Sequence, residues 1–199
     1  MSFRDWFVPD EIQSGASAAS EMFRSITQTS HFWLKQTFAA LIPLFLGMLI
    51  SYYIKELFVA NYSKDFFKDL VANILTLNTV LAGFIVTLML FTGKTDGSDS
   101  LDIDQAKRYV SKIKYLFFSQ ALTLGVYILC ILSCLSWLLT QGLGLDKKIA
   151  DIAWVIVCGF LTLGLLRTLL LPLQIYEVHQ FELEALLDKK YKEYEDSIK

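Results

Sequence analysis

Residues able to carry out chemistry are few in this chain, and they are not grouped. His31 and His179 lie in separate segments, while Cys130 and Cys134 are one helical turn apart in an apolar stretch with no nearby acid or histidine. No HExxH, CxxC, nucleophile-elbow or glycine-rich phosphate motif is present. We therefore expect no catalytic, metal-binding or cofactor-binding site, and we expect the cysteines to be small core residues. The protein is not expected to be an enzyme.

Arg167 lies deeper inside an apolar stretch than any other charged residue. An ionisable group within the membrane is a candidate for function, because its burial in lipid is costly. Arg167 is also near the end of its stretch, where a long side chain can extend to the headgroups. Both interpretations stay open from the sequence.

Small and polar residues recur along one face of the uncharged stretch VANILTLNTVLAGFIVTLMLF. At 100° per residue, Asn73, Thr76, Gly83 and Thr87 fall on this face of a helix, whereas Asn78 points to the opposite side. Small and hydroxyl residues allow close helix packing, and they can equally line a wetted path. The sequence thus predicts a pore-lining or helix-packing face made of Asn73, Thr76, Gly83 and Thr87, which we call the polar stripe.

The third apolar stretch has a polar face of its own, with Gln120 and Tyr127 on its flank. This face complements the polar stripe, so we expect the two to pack against each other within one subunit or to line a pore. Its members are Ser119, Thr123, Val126, Cys130, Ser133 and Cys134.

Four such stretches, each long enough to cross the roughly 30 Å hydrocarbon core, place this chain among integral membrane proteins. The chain has 199 residues, of which 54% are hydrophobic. The expected fold is an all-α four-helix membrane bundle with helical extensions, inserted in the lipid bilayer. The predicted membrane domain covers residues 31–175, with spans at about 36–54, 71–92, 115–139 and 149–171.

The two terminal segments are predicted to be amphipathic and to lie outside the membrane. Residues 1–30 have the pattern of an interfacial anchor, or of a segment that packs against the mouth of an assembly. Residues 176–199, beyond Pro172, are predicted to form an amphipathic cytoplasmic helix. Its apolar seam requires a partner, either another subunit or a cytosolic protein, and it consists of Leu183, Leu187, Tyr191 and Tyr194.

The basic residues indicate the orientation. Four spans place both termini and the central loop on one side, and most of the 18 lysines and arginines fall there. Positively charged loops face the cytoplasm, so both termini are expected to be cytoplasmic. The opposite side has Lys55, Lys64, Lys68, Lys147 and Lys148.

This arrangement, with the stretch LNTVLAGFIVTLMLF and the amphipathic C-terminal tail, resembles small four-span membrane proteins of bacterial anti-phage defence systems. The membrane subunit of the Kiwa system and the membrane effector of the Hailong system are examples. The resemblance implies a homo-oligomer in the bacterial inner membrane that senses infection or breaches the membrane barrier, together with a separate cytosolic protein.

Two hypotheses follow. In the first, the chain is a homo-oligomeric, gated ion-conducting or membrane-disrupting effector whose polar stripe lines the path. In the second, it is a non-conducting sensor or scaffold that recruits a cytosolic partner through its C-terminal helix. No direct nucleic-acid binding is expected from a net charge of -2. A transporter has less support, since no inverted repeat is visible.

Overall fold

The computed structural model describes residues 20, 24, 32–59, 64–92, 103–144 and 146–198. All of these are helical apart from a turn at residues 143, 144 and 146. Over the described residues the fold is therefore all-α, as the sequence predicts. The four long helices are α1 (Phe32–Val59), α2 (Lys64–Thr92), α3 (Ile103–Gly142) and α4 (Lys147–Ile198).

Each of these helices is long and apolar enough to cross a membrane. The prediction of four helices able to span a membrane is confirmed, and every predicted span lies inside one of these apolar helical segments. The segments extend further than the predicted spans, because a helix can continue beyond the lipid with its internal hydrogen bonds intact. Their limits are Leu34–Ile54, Phe66–Thr92, Ala106–Gly142 and Lys147–Tyr176.

Helix α3 packs against both α2 and α4, whereas α1 packs against α4. The main core lies between α2, α3 and α4, where the ring of Phe67 meets that of Trp154 edge-on at 5.5 Å between centroids. Helix α1 lies on the outside of this core, since Gly47 and Ser51 are its buried positions in the described residues. The main core cluster comprises Val71, Ile74, Cys130, Cys134, Trp137 and Val157.

A tight turn joins α3 to α4. Gly144 adopts a φ of 64°, a left-handed conformation that glycine accepts without steric cost. Asp146 then caps α4, because its carboxylate accepts a hydrogen bond from the amide of Lys148 at 3.4 Å and its carbonyl accepts one from Ile149 at 3.0 Å. The two helices at the centre of the bundle are thereby held antiparallel.

The predicted C-terminal helical segment is continuous with the fourth span. Helix α4 continues without a break through Pro172 to Ile198 and has 52 residues, which corresponds to about 78 Å. Proline removes one backbone hydrogen bond, and helices in membranes tolerate that loss. The span and the extension are therefore one rod, so a displacement of one moves the other.

One further prediction falls outside the described residues. The interfacial interpretation of residues 1–30 concerns a segment outside the described residues, apart from positions 20 and 24.

Candidate functional site

The polar stripe faces away from the other three helices. Asn73, Thr76, Gly83 and Thr87 are all exposed, and a Cβ atom added to Gly83 would meet nothing within 4 Å. The hydroxyls of Thr76 and Thr87 each donate a hydrogen bond at 3.0 Å to the carbonyl four residues earlier in the helix. Their donors are therefore satisfied, while their oxygens remain available as acceptors on the outer surface.

The polar face of α3, in contrast, points into the bundle. Gln120, Thr123, Cys130 and Cys134 are buried, and Ser119, Val126 and Ser133 are half-buried. The expectation that this face packs against the polar stripe within one subunit is wrong, because the face meets the opposite side of α2. There Gln120 donates from Nε2 to the Thr92 hydroxyl at 3.0 Å.

Asn78 is the polar residue of α2 that lies on this buried side. Its exposed fraction is 0%, and its Nδ2 donates to the carbonyl of Ile74 at 2.7 Å. Its Oδ1 has no hydrogen-bond partner among the described residues. The helical periodicity separates Asn78 from the polar stripe correctly, and the structure identifies which of the two sides is the inner one.

Tyr127 connects α3 to α4 in the second core cluster, beside Ile85 and Leu171. Its hydroxyl donates to the carbonyl of Gly164 at 3.2 Å and is also within hydrogen-bonding distance of the Thr168 hydroxyl. A Cβ atom at position 164 would lie 3.0 Å from the tyrosine ring. The sequence analysis did not identify Gly164, which is required by this close approach.

Helix α1 crosses α4 at a contact made of small residues. A Cβ atom at Gly47 would lie 2.8 Å from the carbonyl oxygen of Cys158, and one at Gly159 would lie 3.1 Å from the carbonyl oxygen of Leu44. Thr162 also lies against Gly47. Gly47 is a further position that the sequence analysis missed, although its spacing of four from Ser51 is the small-residue pattern of membrane helix contacts.

Arg167 is half-buried, and its Nε atom has no hydrogen-bond partner among the described residues. The phenol of Tyr115 on α3 lies within electrostatic range of its guanidinium group. Tyr115 in turn accepts a hydrogen bond from Nε2 of Gln36 on α1 at 3.4 Å. Three helices therefore contribute to the surroundings of this charge.

The seam of the C-terminal extension is exposed where its side chains are described. Leu183 is 60% exposed and Leu187 is 58% exposed. The side chains of Tyr191 and Tyr194 lie outside the described part of the chain, although their backbone belongs to α4. Within one subunit, the described leucines have no cover.

The three cysteines carry free thiols, and Cys130 and Cys134 belong to the main core cluster. The prediction of small core residues is confirmed for Cys130 and Cys134, whereas Cys158 is half-buried. The described helices bring no group of three histidines, cysteines or acids into a position to hold a metal ion.

No family model, curated protein or solved structure matches this chain.

Proposed function

We propose that this chain forms a homo-oligomer in the membrane that conducts ions when triggered, with α2 of each subunit facing the conducting path. One observation carries the proposal: the polar stripe lies on the outer surface of the subunit, opposite the buried face of α2. Amide and hydroxyl groups that face lipid form no hydrogen bonds with the acyl chains. The same groups can form hydrogen bonds when they face another subunit or water.

A path through a single subunit has no support from the packing. The space between α2, α3 and α4 is filled by Ile74, Trp137 and Val157 with their neighbours, and Asn78 is fully buried. Several copies arranged with their polar stripes towards a common axis would instead place threonine oxygens around a water-filled centre. The open surface at Gly83 permits close approach of neighbouring α2 helices.

Helix α4 offers a mechanism for gating. Its span and its extension form one continuous helix from Lys147 to Ile198, so a force applied at Leu183 or Leu187 acts on the span directly. Helix α4 packs on α3, and α3 packs on α2. In this proposal a cytosolic signal tilts α4 and changes the distance between α2 helices at the axis. A role in bacterial anti-phage defence, at the inner membrane with cytoplasmic termini, rests on the resemblance and on the charge distribution alone.

The test is ion flux through the purified protein in liposomes, compared between two glycine-to-leucine variants. Gly83→Leu places a bulky side chain in the polar stripe and should abolish flux while the oligomer stays intact. Gly125→Leu is the matched control. A Cβ atom at position 125 also meets nothing within 4 Å, but this glycine lies on α3 and outside the polar stripe. Equal flux from both variants, in an intact oligomer, would contradict the assignment of α2 to the path.

A second candidate function is a non-conducting sensor or scaffold, and the exposed leucines of the extension favour it. In that case Leu187→Glu should release a cytosolic partner that co-purifies with the wild type, while Gly83→Leu should have no effect on partner binding. If the protein is a gated conductor, Gly83→Leu should instead abolish ion flux. The two variants therefore separate the two functions.

A further inference from the structure

Gln36, Tyr115 and Arg167 bring three helices together at one level of the membrane. The amide of Gln36 on α1 donates to the hydroxyl of Tyr115 on α3, and Tyr115 lies within electrostatic range of Arg167 on α4. Having accepted that bond, the tyrosine hydroxyl keeps its own hydrogen for another acceptor. The group therefore presents donors and a positive charge.

The charge of Arg167 is not neutralised within the described part of the subunit. Its Nε atom is buried without a hydrogen-bond partner, and no described carboxylate lies within ion-pair distance. Arginine is always protonated in proteins, and an unpaired charge inside the membrane is costly. An anion at this position would remove that cost.

The depth of Arg167 indicates where the anion comes from. The apolar span of α4, Lys147–Tyr176, is about 45 Å long, so a hydrocarbon core of about 30 Å centred on it ends near Leu171, about 6 Å of helix beyond Arg167. Lipid phosphates lie just beyond this boundary, within reach of a long side chain. Nearby leucines face outward where acyl chains can cover them, with Leu169 70% and Leu170 53% exposed.

A second unpartnered atom lies on the same face of α4. The Oε1 atom of Gln174 is buried and has no hydrogen-bond partner among the described residues, and its residue is about two turns closer to the headgroups. It is an acceptor, whereas the arginine group is a donor. A ligand that combines a phosphate with a hydroxyl satisfies both.

We propose that Gln36, Tyr115 and Arg167 bind the phosphate of an anionic phospholipid whose headgroup hydroxyl donates to Gln174. Phosphatidylglycerol has this chemistry, and basic sites between helices on the cytoplasmic side of membranes commonly bind such headgroups. The site belongs to one subunit, so it does not depend on the proposed conducting oligomer.

The experiment measures lipid affinity by native mass spectrometry and by thermal stabilisation of the purified full chain in detergent. Phosphatidylglycerol, phosphatidylcholine and inorganic phosphate are added separately. The wild type should bind phosphatidylglycerol in preference to the other two. Arg167→Gln should weaken that binding about tenfold, since charge-assisted hydrogen bonds to phosphate are lost. Arg108→Gln, the same change at an exposed position of α3, should leave it unaltered.

Three results would overturn the proposal. They are equal binding of phosphatidylcholine, unchanged phosphatidylglycerol binding in Arg167→Gln, and inorganic phosphate binding as strongly as the lipid. If Arg167→Gln does not fold, Tyr115→Phe takes its place, because it removes one donor and leaves the charge. Unchanged lipid affinity in Tyr115→Phe would then count against the site.

Discussion

A methyl group added to Gly47 of α1 would lie 2.8 Å from the carbonyl oxygen of Cys158 on α4. Real Cβ atoms essentially never approach a heavy atom this closely, and a backbone carbonyl cannot turn aside as a side chain can. The two helices therefore touch through their main chains at this point. Helix α1 packs against α4, so this contact decides whether α1 stays on the bundle.

Gly47→Ala should destabilise the protein by about 1–3 kcal/mol, the usual range for overpacking a close contact. The free energy of unfolding in detergent micelles measures this loss. Gly125→Ala is the matched control, since a Cβ atom at position 125 on α3 meets nothing within 4 Å. The control should be neutral, or more stable by up to about 1 kcal/mol because alanine favours helix. Equal stability of the two variants would mean that α1 is not held by this crossing.

Tyr127→Phe should cost about 0.5–1.5 kcal/mol in the free energy of unfolding. The change removes the hydrogen bond to the carbonyl of Gly164 at 3.2 Å and leaves the ring in the core. The Thr168 hydroxyl keeps its own bond to the same carbonyl at 3.0 Å, which limits the loss. Tyr53→Phe, at a tyrosine that is 66% exposed, should have little effect. A loss at position 53 as large as that at 127 would argue against a specific α3–α4 bond.

The number of spans was predictable from the sequence, because a helix in lipid must satisfy its backbone internally over a fixed thickness. Which face of α2 points into the bundle was not predictable from the sequence. The periodicity separates Asn78 from Thr76 and Thr87, but polarity does not tell which side faces inward when lipid is as apolar as the core. The structure buries Asn78 and exposes the two threonines.

The continuity of α4 and the Gly47 contact were missed for different physical reasons. A proline such as Pro172 ends helices in water more often than in membranes. In a membrane the energetic cost of unpaired backbone groups favours continuation of the helix. Gly47 becomes informative only when its partner is known, since the clash involves Cys158, which is distant along the chain. Cys158, Gly159 and Thr162 form the surface of α4 that meets α1 at this point.

Thr92 and Gln120 should show a measurable coupling between α2 and α3. Gln120 Nε2 donates to the threonine hydroxyl at 3.0 Å. The single hydrogen of that hydroxyl has the Leu88 carbonyl at 2.8 Å and Gln120 Oε1 at 3.3 Å as acceptors. A double-mutant cycle with Thr92→Val and Gln120→Leu should give a coupling energy of about 0.6 kcal/mol, the average for such bonds in membrane proteins. Additive effects of the two changes would show that the pair contributes nothing beyond its separate contacts.

The proposed meeting of α2 helices between subunits can be tested by cross-linking at Thr87. This residue is exposed, and its side chain bonds to the Gly83 carbonyl of its own helix, so a cysteine there should reach only another subunit. Thr87→Cys should give covalent dimers with a short bifunctional thiol reagent in membranes, detected by denaturing electrophoresis. The wild type sets the background from its own three cysteines, which are buried at 130 and 134 and half-buried at 158. Leu132→Cys, at a 53% exposed position on α3, is the matched control and should remain monomeric. Dimers from Leu132→Cys but not from Thr87→Cys, in an oligomer of unchanged size, would place α3 rather than α2 at the subunit contact.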